Sequence, residues 1–299
     1  MYWNSLSDRL REEYGCKVYK LALSSGCSCP NRDGTVGTRG CIFCDGAGAF
    51  AAAGSVDEQI DAAKARVAAK MKGDGKYIAY FQSFTNTYGS VEMLEPMFTA
   101  AASRPDIAAL SIATRPDCLG PDVMEMLRRL RRSKPVWVEL GLQTIHPASA
   151  AYIRRGYGLE IYDAAVEKLR GAGITVVTHM ILGLPGETVE DMAATARYIG
   201  RSGAQGVKFH LLHVLRGTDL AVEYAAGRVA VMTMEDYIAA LEECVRATPR
   251  HVVIHRLTGD GAKRDLIAPL WSGDKKRVLN AVRAAFVAHD VEQGSTYEM

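Results

Sequence analysis

Residues 174-ITVVTHMILGLPGETVEDMAATARYIGRSGAQGVKFHLLHVL-215 contain a strand, a helix and a second strand in one unbroken run. The apolar, β-branched segment 174–186 ends at the turn GLPG, as a buried strand ends at turn residues. TVEDMAATARYIGRSG (188–203) reads as a helix, and GVKFHLLHVL (206–215) as the next strand. A strand that reaches its neighbour through a helix lies parallel to it.

The same beat extends outward in both directions. SVDEQIDAAKARVAAKMKGDG (55–75) opens with Ser55 and Glu58 in capping-box spacing and predicts a helix that runs to a glycine stop. YIAYFQS (77–83) and ALSIATRP (109–116) read as strands on either side of a helix at 90–103. PDVMEMLRRLRRS (121–133) is a helix with Pro121 suited to its first turn. PVWVELGLQT (135–144) is a strand with two faces: Val136, Val138, Leu140 and Leu142 on one, Trp137, Glu139, Gly141 and Gln143 on the other. Helices at 159–173 and 234–248 and a strand at 251–257 complete the pattern. Counting KVYKLALS (17–24) as the first, there are about seven strands with helices between most neighbours. An α/β fold with a parallel sheet follows, either a barrel or an open doubly wound sheet. No GxGxxG motif follows the first strand, so a dinucleotide-binding fold has no local support.

The composition is that of an ordinary globular protein: 299 residues, 48% hydrophobic and 23% charged. It predicts one domain over 1–299, with a core at about 15–257 and a loop-and-helix extension at 258–299. A net charge of +2 does not by itself point to nucleic acid, although a local patch would suffice. The polar N-terminus has no signal-peptide core, and no apolar run nears the ~20 residues of a membrane span. The expected location is the cytoplasm, with no membrane partner.

Four of the seven cysteines fall in CSCPNRDGTVGTRGCIFC (27–44). In a reducing compartment, disulfides are disfavoured and metal binding moves ahead. Cys41 and Cys44 form a C-x2-C pair, which offers two thiolates to one centre. Cys29 lies upstream across a glycine-rich loop able to pass close around a bulky group. Three thiolates leave one iron of a four-iron cluster open for chemistry. Including Cys27, the four thiols also match a closed structural zinc site. Spacing alone leaves both readings open. The isolated Cys16, Cys118 and Cys244 read as small hydrophobes.

These segments carry a resemblance. CPNRDGTVGTRGCIFC is similar to the cluster loop of radical S-adenosylmethionine (SAM) enzymes, in particular a short bacterial subgroup related to the Elongator catalytic subunit. ATRPDC (113–118), ELGLQT (139–144), HMILGLPGET (179–188) and RLTGD (256–260) resemble family segments in family order. The resemblance spans roughly residues 15–290. It implies a partial (β/α)6-type, TIM-like barrel with a C-terminal extension. It also implies a [4Fe–4S] cluster on Cys29, Cys41 and Cys44, with SAM bound at the fourth iron. Reductive cleavage of SAM would give a 5′-deoxyadenosyl radical that abstracts hydrogen from substrate. Flavodoxin or ferredoxin is the implied electron donor.

Residue by residue, the resemblance assigns Phe43 to the adenine, Gln143 and Arg155 to SAM contacts, and His179 to the ribose. Gln82 and Ser83 fall where relatives show a GGE-like motif, which this sequence lacks. Ala113 replaces a family Glu. Independently of the family, Gln82, Thr114, Arg115, Gln143 and His179 fall toward C-terminal strand ends, where parallel barrels place their chemistry. Glu139 sits deeper and needs a partner if it faces the interior, for which Arg115 is the expectation. Lys208, His210 and His213 are candidates for acid–base work beside substrate, with His213 on the opposite strand face unless the strand ends before it. The basic run RRLRRSK (128–134) reads as a solvated helix end that tRNA could also use. The implied substrate is the wobble uridine of tRNA, in a 5-aminomethyl-type modification. Elongator's acetyl transfer is not expected, because few residues follow the barrel. The alternatives are radical chemistry on a small molecule or peptide, and a zinc-stabilised RNA-binding or scaffold protein.

Overall fold

A computed structural model describes residues 2–46, 53–71, 75–259 and 263–297. Seven parallel strands form one curled sheet: β1 (Lys17–Leu23), β2 (Gly75–Phe81), β3 (Ile107–Thr114), β4 (Val136–Gln143), β5 (Thr175–Leu182), β6 (Gly206–Leu211) and β8 (Val253–Arg256). Their order in the sheet is their order along the chain, with β1 and β8 as the two edges. This is a partial barrel. Strands β7 (Val214–Leu215) and β9 (Leu266–Ala268) make a separate antiparallel ribbon.

The strand parity expected for 135–144 holds around the sheet. Val138, Leu140, Phe81, Ile112, Met180 and Phe209 belong to the core between sheet and helices and are fully buried. The covering helices present matching stripes. In α2 (Val56–Val67), Val56, Gln59, Ile60 and Ala63 are buried, at the i, i+3, i+4, i+7 spacing of one helix face. Outside the sheet follow α3 (Val91–Ser103), α4 (Pro121–Arg131), α5 (Pro147–Tyr152), α6 (Leu159–Gly171), α7 (Val189–Ser202), α8 (Asp219–Ala225) and α9 (Met234–Ala247). The Ser55–Glu58 capping box is present, and Thr188 and Asp191 make a second one at α7. Pro121 opens α4. Phe81 meets Phe98 of α3 edge-on at 4.8 Å, an arrangement that contributes about 0.5–1.5 kcal/mol beyond burial.

Some boundaries differ from expectation. The first outer helix ends at Val67 and tightens into a 3₁₀ turn over Ala68–Lys70; residues 72–74, and with them the expected glycine stop at Gly73, lie outside the described residues. The expected strand 206–215 is two strands, because the chain leaves the barrel after Leu211 and Val214 pairs with Ala268. Between them His213 is turned toward the barrel mouth.

The N-terminal helix α1 (Leu6–Tyr14) packs on both edge strands. Its Leu10 clusters with Ile78 and Ala109, and its Leu6 and Tyr14 pack there with Val18 and Trp137. These strand residues have inward parity, so α1 plugs the N-terminal end of the barrel. The last helix, α10 (Lys275–Ala288), lies on α9 and buries Val278, Val282 and Phe286. Among the described residues no helix is long and apolar enough to cross a membrane.

Candidate active site

Inward parity puts polar side chains inside the barrel, and they converge on Glu139. Its side chain is fully buried. Oε1 accepts from Lys20 Nζ at 2.8 Å and Ser111 Oγ at 2.6 Å. Oε2 accepts from His179 Nε2 at 2.6 Å and from Lys208 Nζ. The expected partner, Arg115, is not among them. It lies beyond the end of β3 and pairs with Asp117 through Nε at 2.9 Å and Nη2 at 2.6 Å. Lys208 Nζ also donates to Tyr80 OH at 3.0 Å and stands 4.2 Å from that ring's centre.

A bare carboxylate could not persist at this depth. Burial alone would raise the carboxyl, but Lys20 and Lys208 with the His179 hydrogen bond hold it well below the usual range. Burial, with the Lys208 charge, pushes His179 down to about 4 against the opposing pull of Glu139. Burial likewise drives His210, His255 and Lys208 well below their ordinary values. The three imidazoles charge more readily in the unfolded chain, so the native state loses stability as pH falls. Glu139 acts in the same direction at the acid end, since its stabilisation is present above the unfolded carboxyl value and disappears as pH falls through the folded one. The urea midpoint, followed by circular dichroism, is expected to fall steadily from pH 7 to pH 5. The slope is at most about 1.4 kcal/mol per pH unit for each proton bound. A flat profile over that range would contradict this account of the buried imidazoles.

Above this network, at the C-terminal ends of the strands, lies a cavity of about 260 Å³. Its lining includes Phe43, Gln143, His179, His210, His213 and Arg256. Gln143 ends β4 in a left-handed conformation with φ 68°. Its amide folds back over Gly141, where a side-chain Cβ would stand 2.8 Å from the amide nitrogen. Left-handed backbone at a non-glycine residue is uncommon and concentrates at functional positions. His179 and His210 lie side by side with ring centres 5.0 Å apart. His210 Nε2 is buried without a hydrogen-bond partner among the described residues.

The remaining predicted residues surround the cavity without lining it. Thr114 Oγ1 is bonded to Thr87 Oγ1 at 2.5 Å. Arg155 donates to the carbonyls of Leu142, Thr144 and Tyr157, so its guanidinium braces the end of β4. Arg115 and Arg155 flank the Tyr157 ring at 4.9 and 5.1 Å. Gln82 is half-buried and Ser83 buried just after β2.

The cysteine loop is fastened over this end of the barrel. Asn31 Nδ2 donates to the Arg154 carbonyl at 2.7 Å, and Ile42 N to the Ile153 carbonyl at 3.3 Å. Arg32 Nη2 donates to the Cys44 carbonyl at 2.8 Å. Its guanidinium fills the space over Gly40 and Gly46, both at positive φ, where any side chain would collide with it. Burial, and then Cys44 and Cys29 close by, push the Cys41 thiol up to about 11. The Asn31 amide, 3.5 Å from Cys41 Sγ, opposes that shift. Cys27 is elsewhere: it is packed in the apolar core, and its sulfur lies 3.1 Å from where a Cβ at Gly89 would stand. Burial raises its thiol, and no other cysteine contributes to that shift.

Three thiols that influence one another, beside a side-chain amide donor and the Arg32 cation, suit a thiolate-held cluster, whose ligands sit on different irons. A closed zinc site requires four ligands around one point. Among the described residues, no three His, Cys, Asp or Glu side chains converge enough to hold a single ion.

Sequence reasoning missed Lys20, Ser111, Tyr80 and Arg256. Strand parity relative to Glu139 is the signal that could have found the first three. It also missed Asn86, fully buried, which accepts from Ser25 Oγ at 2.8 Å and donates to the Phe81 and Ala113 carbonyls, joining the ends of β1, β2 and β3.

The profile of the radical SAM superfamily matches residues 33–199, and that of the radical SAM C-terminal domain matches 204–287. The uncharacterised protein YtqA of Bacillus subtilis (strain 168) is 41% identical over 300 residues, covering 99% of this chain and 93% of the relative. The tRNA uridine(34) acetyltransferase of Methanocaldococcus jannaschii is 27% identical over 155 residues, which is 51% of this chain and 28% of that protein. Among solved structures, archaeal Methanocaldococcus infernus Elp3 with an N-terminal deletion superposes with a TM-score of 0.70 at 18% identity, over 92% of this chain and 64% of that one.

Proposed function

Because this chain belongs to the radical SAM superfamily, we propose that it modifies the wobble uridine of tRNA at a 5-aminomethyl-type substituent. The class is established: it is a radical SAM enzyme, and its cofactors are a [4Fe–4S] cluster and SAM. The substrate is our reading. The observation that carries it is the 155-residue match to a tRNA uridine(34) acetyltransferase. The chain spans 28% of that relative, so acetyl transfer is not part of the proposal.

In this reading Cys29, Cys41 and Cys44 hold the cluster, and a flavodoxin or ferredoxin supplies the electron. When bound, the cluster and SAM supply a one-electron cleavage whose radical product takes hydrogen from substrate. Phe43 packs against the adenine. Gln143 and His179 meet polar groups of SAM from the cavity wall. Arg115 and Arg155 hold the wall through Tyr157, while Thr114, Gln82 and Ser83 shape the neighbouring strand ends. His210 and His213, with Lys208 beneath them, are the groups that move or hold a proton beside substrate. Ile181, Leu211, Leu212 and Leu215, which also line the cavity, exclude water from the reacting atoms.

The test is nucleoside analysis of total tRNA by mass spectrometry in a strain lacking this gene. The expected result is loss of one 5-aminomethyl-type uridine and accumulation of its precursor, reversed by the wild-type gene and not by Cys41→Ala. An unchanged tRNA profile would instead favour a small-molecule or peptide substrate.

A further inference from the structure

His179 has two ring nitrogens, and the interior has committed one of them. Its Nε2 stands 2.6 Å from Glu139 Oε2. An ionised carboxylate can only accept, so the proton of this bond sits on Nε2. The ring is neutral, which leaves Nδ1 as a lone pair on a side chain that lines the cavity. Glu139 cannot turn away from this task. Its other contacts, Lys20, Ser111 and Lys208, are all donors, and together they occupy both of its oxygens. Among the described residues, His210, His213 and Arg256 also line this cavity, and the Arg256 charge disfavours a second proton on His179 and on His210.

We propose that Glu139, fixed by Lys20, Lys208 and Ser111, is a positioning residue that holds His179 as its Nε2–H tautomer, so that Nδ1 accepts a hydrogen bond from a ribose hydroxyl of the nucleoside bound in the cavity. This rests on the reading of the cavity as the SAM pocket and adds the polarity of one contact. An Asp or Glu at position 179 would accept such a hydroxyl unaided; a histidine does so only when its other nitrogen is held protonated. Glu139 supplies that condition from inside the barrel without touching the ligand.

Two measurements test this on the reconstituted holoprotein under anaerobic conditions. The first is the long-range ¹H–¹⁵N spectrum of histidine-labelled protein, with the His179 signals assigned by their loss in His179→Phe. A protonated Nε2 and unprotonated Nδ1 are expected; the opposite tautomer would overturn the proposal whether or not SAM binds. The second is equilibrium binding of SAM and of its 2′-deoxy and 3′-deoxy analogues. Glu139→Gln puts an amide N–H against donors on at least one side and is expected to weaken SAM about tenfold. It should leave one deoxy analogue, the one lacking the contacting hydroxyl, nearly unaffected, and the His179→Phe, Glu139→Gln double variant should be no worse than His179→Phe. An equal loss for all three ligands would mean a merely structural role and overturn the proposal. Failure of the wild type to bind SAM would sink the cavity reading separately, with the tautomer still deciding the state of His179.

Discussion

Cys41→Ala protein, reconstituted without oxygen, is expected to hold only traces of iron, against about four irons per chain in the wild type. Cys27→Ala should load normally. The contrast follows from where the two sulfurs are. Cys41 lies under the loop, within electrostatic reach of Cys44 and Cys29 and with the Asn31 amide at 3.5 Å. Its thiol, pushed up to about 11, would rest protonated without a metal to draw the proton off. Cys27 packs among apolar side chains, and replacing it removes a small hydrophobe. Equal loss of iron in both variants would restore the four-thiol reading of this loop.

Glu139→Ala is expected to destabilise the fold by about 3–5 kcal/mol at neutral pH, the usual cost of removing one partner of a buried ion pair. Among the described residues the carboxylate is the only acid hydrogen-bonded to Lys208, whose side chain is only 3% exposed, and it also pairs with Lys20. Without it two cations face each other beside Tyr80, and the Ser111 and His179 donors lose their acceptor. Chemical denaturation measures the effect. The double variant Glu139→Ala, Lys208→Met should recover a large part of the loss, because an apolar pair avoids the unpaired charge. A Glu139→Ala loss below about 1 kcal/mol would mean that water reaches this network in solution.

The fold was largely legible because the strands of a covered parallel sheet are short apolar runs and their helices carry capping boxes and one-face stripes. What escaped depended on contacts distant in sequence. The apolar pattern of 206–215 continues past Leu211, and only pairing with Leu266–Ala268 reveals that the barrel strand has ended. The amphipathic N-terminus gave no indication of the gap it fills between β1 and β8. At the site, parity correctly put Glu139 and Gly141 on one face, whereas Gln143 reaches the cavity through a register shift after Gly141; parity also has no depth. Proximity in the strand pattern makes Arg115 the expected partner of Glu139. The register of Ala113 opposite Glu139 carries Arg115 past the end of the barrel, while Lys20 and Lys208 reach Glu139 from β1 and β6. Of the cavity residues, Phe43 came from family likeness alone, and Gln143 and His179 from that likeness and from their places at C-terminal strand ends, whereas no sequence pattern signalled the left-handed turn at Gln143.

The central claim is that Cys29, Cys41 and Cys44 hold a cluster that meets SAM in the cavity beside Gln143 and His179. Electron paramagnetic resonance of the dithionite-reduced, reconstituted protein, recorded with and without SAM, tests it most directly. The account predicts a reduced [4Fe–4S] signal whose shape changes when SAM is added. A protein that contains one zinc and no reconstitutable iron, or a cluster signal indifferent to SAM, would contradict it.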